Sequence, residues 1–150
     1  MLSWLKENTS KARQALADGV AQYRNRDFME AVVAGCAIVA AADGSVSSEE
    51  KQKMMGFIQN SDELKVFKTD DVIKAFNDII GKFDFDVAIG RGEALKKIAK
   101  IKSKEGAGQL LVRVCCAIGA ADGDFDDDEK KAVAEICREL GLNPADFDLA

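Results

Sequence analysis

Residues 36–51 read CAIVAAADGSVSSEEK and residues 115–130 read CCAIGAADGDFDDDEK. Superposed without a gap at an offset of about 79 residues, the two stretches share one plan. A small-apolar helix end is followed by Ala-Asp-Gly, one further residue, Val46 or Phe125, three polar residues, and Glu-Lys. Asp43 pairs with Asp122, Gly44 with Gly123, Glu50 with Glu129, and Cys36 with Cys115. An internal duplication of this kind restricts the fold to two similar halves packed on one another.

The elements around the repeat are helical in pattern. A single proline, Pro144, and an abundance of Ala, Leu, Lys and Glu point to an all-α chain of 150 residues forming one domain. A basic amphipathic helix is expected over 2–25, with Leu2, Leu5, Leu16 and Val20 on its apolar side; it packs on the body and shows its charges to water, or, through Trp4, Lys6, Lys11 and Arg13, lies on an anionic membrane surface. Asp27 is the expected cap of a second helix to about residue 42, apolar nearly all round and so central. A third follows from Ser47 to about Asn60, opened by a Ser47-x-x-Glu50 capping box. Thr69 is expected to cap a fourth, ending near Lys82, with Phe83-Asp84-Phe85-Asp86 as the joint to a fifth over about 86–102. The sixth, from Gly106 and Gly108 to about Ala121, repeats the second. The seventh is capped by Asp126, pairs it with Glu129, and ends at Gly141, before a short turn opened by Asn143-Pro144. The predicted architecture is a compact bundle of about seven helices, with repeats at about 27–60 and 106–140 related by a pseudo-twofold.

Composition narrows the chemistry. The chain has no histidine, which excludes a His base and most imidazole-ligated metal sites. Its net charge of −5 argues against general nucleic-acid binding. Basic residues gather at the front, whereas beyond Asp122 acids outnumber bases roughly three to one, a polarity suited to charge-directed association. Cys36, Cys115, Cys116 and Cys137 show no C-x-x-C spacing and fit a reduced, cytoplasmic chain. No uncharged apolar run reaches the length of a membrane span.

The carboxylates carry the functional signal. Asp43 and Asp122 sit where a helix ends, and there the dipole disfavours negative charge and backbone carbonyls need partners. A cation satisfies both, held by the Asp, the carbonyls and the Glu50 or Glu129 across the turn. Oxygen ligands of this kind suit Ca²⁺ or Mg²⁺. The second corner is richer, with Asp122, Asp124, Asp126, Asp127, Asp128 and Glu129 in eight positions. It is not an EF-hand: Asp127 stands where that loop needs glycine, and Val133 where it needs glutamate. The plain structural alternative is a pair of helix corners with glycine C-caps and acidic N-caps.

The two Ala-Asp-Gly repeats, each Asp followed seven residues later by Glu, resemble the TerB family of tellurite-resistance proteins. The likeness extends to Glu63-Leu64-Lys65-Val66-Phe67, Phe83-Asp84-Phe85-Asp86, Gly90-Arg91-Gly92-Glu93 and Phe125-Asp126-Asp127-Asp128-Glu129-Lys130. The resemblance implies a cytoplasmic all-α protein, peripheral at the inner membrane, that works with other products of a tellurium-resistance cluster, a membrane protein among them. It implies metal held by Asp43 and Glu50 in one half and by Asp122 and Glu129 in the other, and no defined catalytic activity. Ser45, Ser47 and Ser48 stand where the second half has Asp124, Asp126 and Asp127, so the first corner is the poorer in acid. Two rivals remain: a thiol-dependent tellurite reductase or sequestering protein using Cys115 and Cys116, and a pure scaffold. Adjacent helical residues diverge by about 100°, which weakens the thiol pair.

Overall fold

The computed structural model describes residues 9–22, 25–42, 47–60, 64–120 and 125–149. Among them are seven α-helices: α1 (Thr9–Gln22), α2 (Arg26–Ala40), α3 (Ser48–Gln59), α4 (Thr69–Phe85), α5 (Val87–Ala99), α6 (Ala107–Gly119) and α7 (Asp127–Glu139). A short 3₁₀ turn, Pro144–Phe147, closes the described chain, capped by the Asn143 side chain. No strand occurs among the described residues.

The repeat offset recurs in the helix boundaries. Ser48 and Asp127 each open a helix, and Ala40 and Gly119 each close one. Carried back toward the N-terminus, the same offset lays α1 over α5, a pairing not foreseen from the sequence. Packing follows this correspondence crosswise, since α1 lies on α6 and α5 lies on α2. α4 has no counterpart among the described residues and packs against α2, α3 and α5.

α2 and α6 form the centre. Val32, Val33, Ala34, Ala37, Ile38 and their neighbours leave almost no surface exposed, as their apolar run requires. The two helices meet at the cysteines that the offset superposes: the Cys36 and Cys115 thiols are hydrogen-bonded to each other. Gly35 makes the crossing possible, because a Cβ there would lie 2.5 Å from the Cys115 sulfur.

Several helix ends differ from expectation. Asn25, not Asp27, caps α2, accepting a hydrogen bond from the Phe28 N–H at 2.8 Å. Glu30, one turn into the helix, binds Arg26 (3.7 Å) and Lys97 (3.4 Å). Thr69 is the first residue of α4 rather than its cap, which is Lys68 without a side-chain bond. α4 also runs on through Phe85. Val72, Phe76, Ile79, Ile80 and Phe83 are buried at steps of three and four, so the helical stripe carries straight through the expected joint. The joint is the single extended residue Asp86, whose carboxylate caps α5 by accepting from the Ile89 N–H at 3.1 Å. There α5 folds back tightly on α4, since a Cβ on Gly90 would lie 2.6 Å from the backbone of Phe83.

Candidate functional site

The acidic corners lie at the far ends of the two central helices. Their backbone closes alike. Ala41 donates its N–H to the Ala37 carbonyl (3.0 Å), and Ala120, its equivalent, donates to the Cys116 carbonyl (2.9 Å). Ala42 further donates to the Val39 carbonyl at 3.1 Å. Part of the carbonyl set expected to need a partner is therefore closed by the chain's own turn.

Asp43, Asp122 and Asp124 lie outside the described residues, and Glu50 is placed only as a backbone position in α3. Asp126 and Glu129 are described in full, and they form the expected capping box. Asp126 accepts from the Glu129 N–H at 2.8 Å, and the Glu129 carboxylate accepts from the Asp126 N–H at 3.1 Å. The box satisfies two amides at the positive end of α7. Asp127 and Asp128 follow in the first turn with their side chains in solvent. Phe125, just before the cap, is buried against α6: a Cβ on Gly119 would lie 2.6 Å from its ring. The aromatic thus pins the acidic turn to the end of the central helix.

The motifs between the repeats resolve into parts that hold the frame. Phe83 is core, and Asp84 pairs with Lys51 of the Glu-Lys repeat at 2.6 Å, joining α3 to α4. Gly90 allows the close approach of α5. Arg91 forms a two-pronged ion pair with Glu135, its Nε–H donating to Oε1 at 2.8 Å and its Nη2 meeting Oε2, and so ties α5 to α7. Sequence reading missed both ion pairs. They join residues 33 and 44 positions apart, and no local pattern announces such partners.

The thiols are placed for packing. All four cysteines are buried and unpaired by disulfide. The hydrogen bond with Cys36, and then burial, push the Cys115 thiol well above its ordinary pKa. Burial does the same for Cys116, and it raises Cys137 to about 11. Thiolate, the nucleophilic and reducing form, is thereby suppressed at neutral pH.

No helix among the described residues is long and apolar enough to cross a membrane. Comparison with solved structures gives no match. A tellurium resistance protein TerB from Alcaligenes sp is 47% identical over 110 residues, which covers 73% of this chain and 90% of that one. The family model described as tellurite resistance protein TerB matches residues 29–150, from the first turns of α2 to the end, including both acidic corners and the ion-paired motifs between them. The chain belongs to the TerB family of tellurite-resistance proteins.

Proposed function

We propose that the chain serves tellurite resistance as a non-enzymatic interaction protein whose acidic corners bind a divalent cation, Ca²⁺ or Mg²⁺. The observation that carries this reading is the second corner. Asp126, Asp127 and Asp128 stand in solvent at the mouth of α7, and no ion pair neutralises them among the described residues. Phe125 and the capping box fasten the start of α7 to the buried frame. Asp122, Asp124 and Glu129 complete the proposed ligand set there, with Asp43 and Glu50 as the weaker first site. Ligands already fixed at the start of α7, Asp126 and Glu129, lower the ordering cost of metal binding. The partners would be other tellurium-resistance proteins, a membrane protein among them, met in the cytoplasm or at the inner face of the membrane.

Buried thiols of raised pKa do not favour a reductase built on Cys115 and Cys116. The test is a titration with Ca²⁺ and then Mg²⁺, followed by amide NMR. Shifts concentrated around Gly44 and Gly123 are expected at or below millimolar metal. Unmoved amides at both glycines would end the metal reading and leave a scaffold.

A further inference from the structure

The four cysteines of the chain gather where α2, α6 and α7 pack on one another. Cys36 comes from α2, Cys115 and Cys116 from α6, and Cys137 from α7. The group is close-knit: Cys115 and Cys137 act electrostatically on the Cys116 thiol, and Cys115 acts on that of Cys137.

One pair within the group stands apart, and it is not the vicinal Cys115 and Cys116. Cys36 and Cys115 hold equivalent places in the two repeats, each one turn before the last residue of its helix, Ala40 or Gly119. Their thiols are hydrogen-bonded to each other across the crossing that Gly35 permits. Cys116 is turned about 100° away round α6. Close packing asks only for small side chains at this crossing, and alanine would meet that need at both positions. Two facing thiols are the small side chains that a covalent bond can join.

We propose that Cys36 and Cys115 form a redox modification site, a dithiol that a hydroperoxide converts to a disulfide joining the two halves. One thiol, giving up its proton, attacks a peroxide oxygen. The O–O bond breaks, the sulfur becomes a sulfenic acid, and the other oxygen leaves with that proton as water when the oxidant is hydrogen peroxide. The second sulfur then attacks the sulfenic sulfur, the S–S bond forms at about 2.05 Å, and the hydroxyl leaves with the second thiol's proton as water. Two electrons pass from the thiols to the peroxide. Both side chains are only 1% exposed, so the first step waits on local opening of the fold and is slow. The return is slower still, because glutathione is far larger than a peroxide and must reach the same buried sulfurs. The site therefore records exposure to oxidant rather than buffering it, and the bond fixes the crossing from which both acidic corners continue.

The test is to treat the folded chain with hydrogen peroxide, chelator present so that no metal takes part, then alkylate it and map its peptides by mass spectrometry. Two of the four thiols should be lost, the intact mass should fall by that of two hydrogens, and the crosslinked peptide should join Cys36 to Cys115. Closing so long a loop should raise Tm by about 4–16 °C. In urea the preference should invert. Loop closure over 21 residues is roughly sevenfold easier than over 79, so Cys116–Cys137 should then outweigh Cys36–Cys115. Cys116→Ala with Cys137→Ala should keep the bond and the rise in Tm, and Cys36→Ala should abolish both. The bond should survive millimolar glutathione in the folded chain and yield once urea is added. A folded chain that joins mainly another pair, that keeps all four thiols where the urea-treated chain is oxidised, or that gives the same mixture with and without urea would overturn the proposal. The peptide map of the intact chain decides even where a variant fails to fold.

Discussion

Gly90 and Gly92 lie one turn apart at most on the same helix, yet alanine should have opposite effects at the two. At Gly90 the added methyl meets the N, Cα and Cγ of Phe83 at 2.6 Å, where ordinary contact begins at 3.4 Å. Two of those atoms are backbone and cannot rotate aside. α5 must therefore withdraw from α4 by about 1 Å, loosening the packing around the buried Phe83 and Ala94. Overpacking against unyielding backbone falls in the upper part of the usual range, about 2–3 kcal/mol, and the better helix propensity of alanine returns about 1 kcal/mol. The net loss is about 1–2 kcal/mol. For a chain of this size that is a fall in Tm of about 2–8 °C. At Gly92 nothing lies within 4 Å of the added carbon. Gly92→Ala should stabilise by about 0.5–1 kcal/mol through chain entropy alone, raising Tm by about 1–4 °C. Thermal and urea unfolding of the two variants, followed by far-UV circular dichroism, measures both. A Gly90→Ala chain as stable as wild type, or a Gly92→Ala chain less stable, would refute the account of the α4–α5 seam.

Asp126→Asn keeps a good N-cap while removing a charge, so it should leave the melting curve within about 0.5 kcal/mol of wild type and weaken Ca²⁺ binding in calorimetry. Asp126→Ala should weaken both, costing about 1 kcal/mol of stability. If Asn loses no affinity for metal, Asp126 serves the helix alone. Arg91→Ala should cost about 1 kcal/mol by stranding the half-buried Glu135, and Arg91→Lys should restore only part of it, because an ammonium cannot make the two-pronged contact; a full rescue in urea denaturation would show that charge alone matters. The thiols set an alkaline limit. An unfolded cysteine titrates near 8.5 and folded Cys137 at about 11, so the fold retains a proton that the open chain releases. Stability from this source should be whole below about pH 8.5 and decline as pH rises toward 11, with a shallower decline in Cys137→Ala. Urea midpoints measured from pH 7 to 10.5 check the slope, and a flat or rising profile in the intact chain would contradict it.

The duplicated stretches made the central helices and the capping box of α7 readable in advance, because each is a local pattern of period and spacing. The cap of α2 was misplaced because Asn25 and Asp27 both fit a helix start, and only backbone geometry chooses between them. α4 was ended early because Phe-Asp-Phe looks like a break. Yet Phe83 lies four residues after Ile79 and three after Ile80, and that step was visible in the sequence. The partners of Lys51 and Arg91 were not visible at all. An ion pair between distant helices is decided by how the helices pack, and a single sequence carries no signal for it. The corner carboxylates were legible as residues; what binds them was not, since an acidic helix start serves a backbone and a cation equally well.

Because α1 lies on α6 while α5 lies on α2, the halves are interlaced rather than stacked. Gly19 near the end of α1 rests beside Leu110 near the start of α6, so α1 finds its seat only when α6, about 90 residues later, has emerged from the ribosome. Cutting the chain between α4 and α5 should therefore yield two fragments that each lack a wall of their own core. Assembly of such a topology waits on distant segments, and its pace is set by loop closure more than by helix formation.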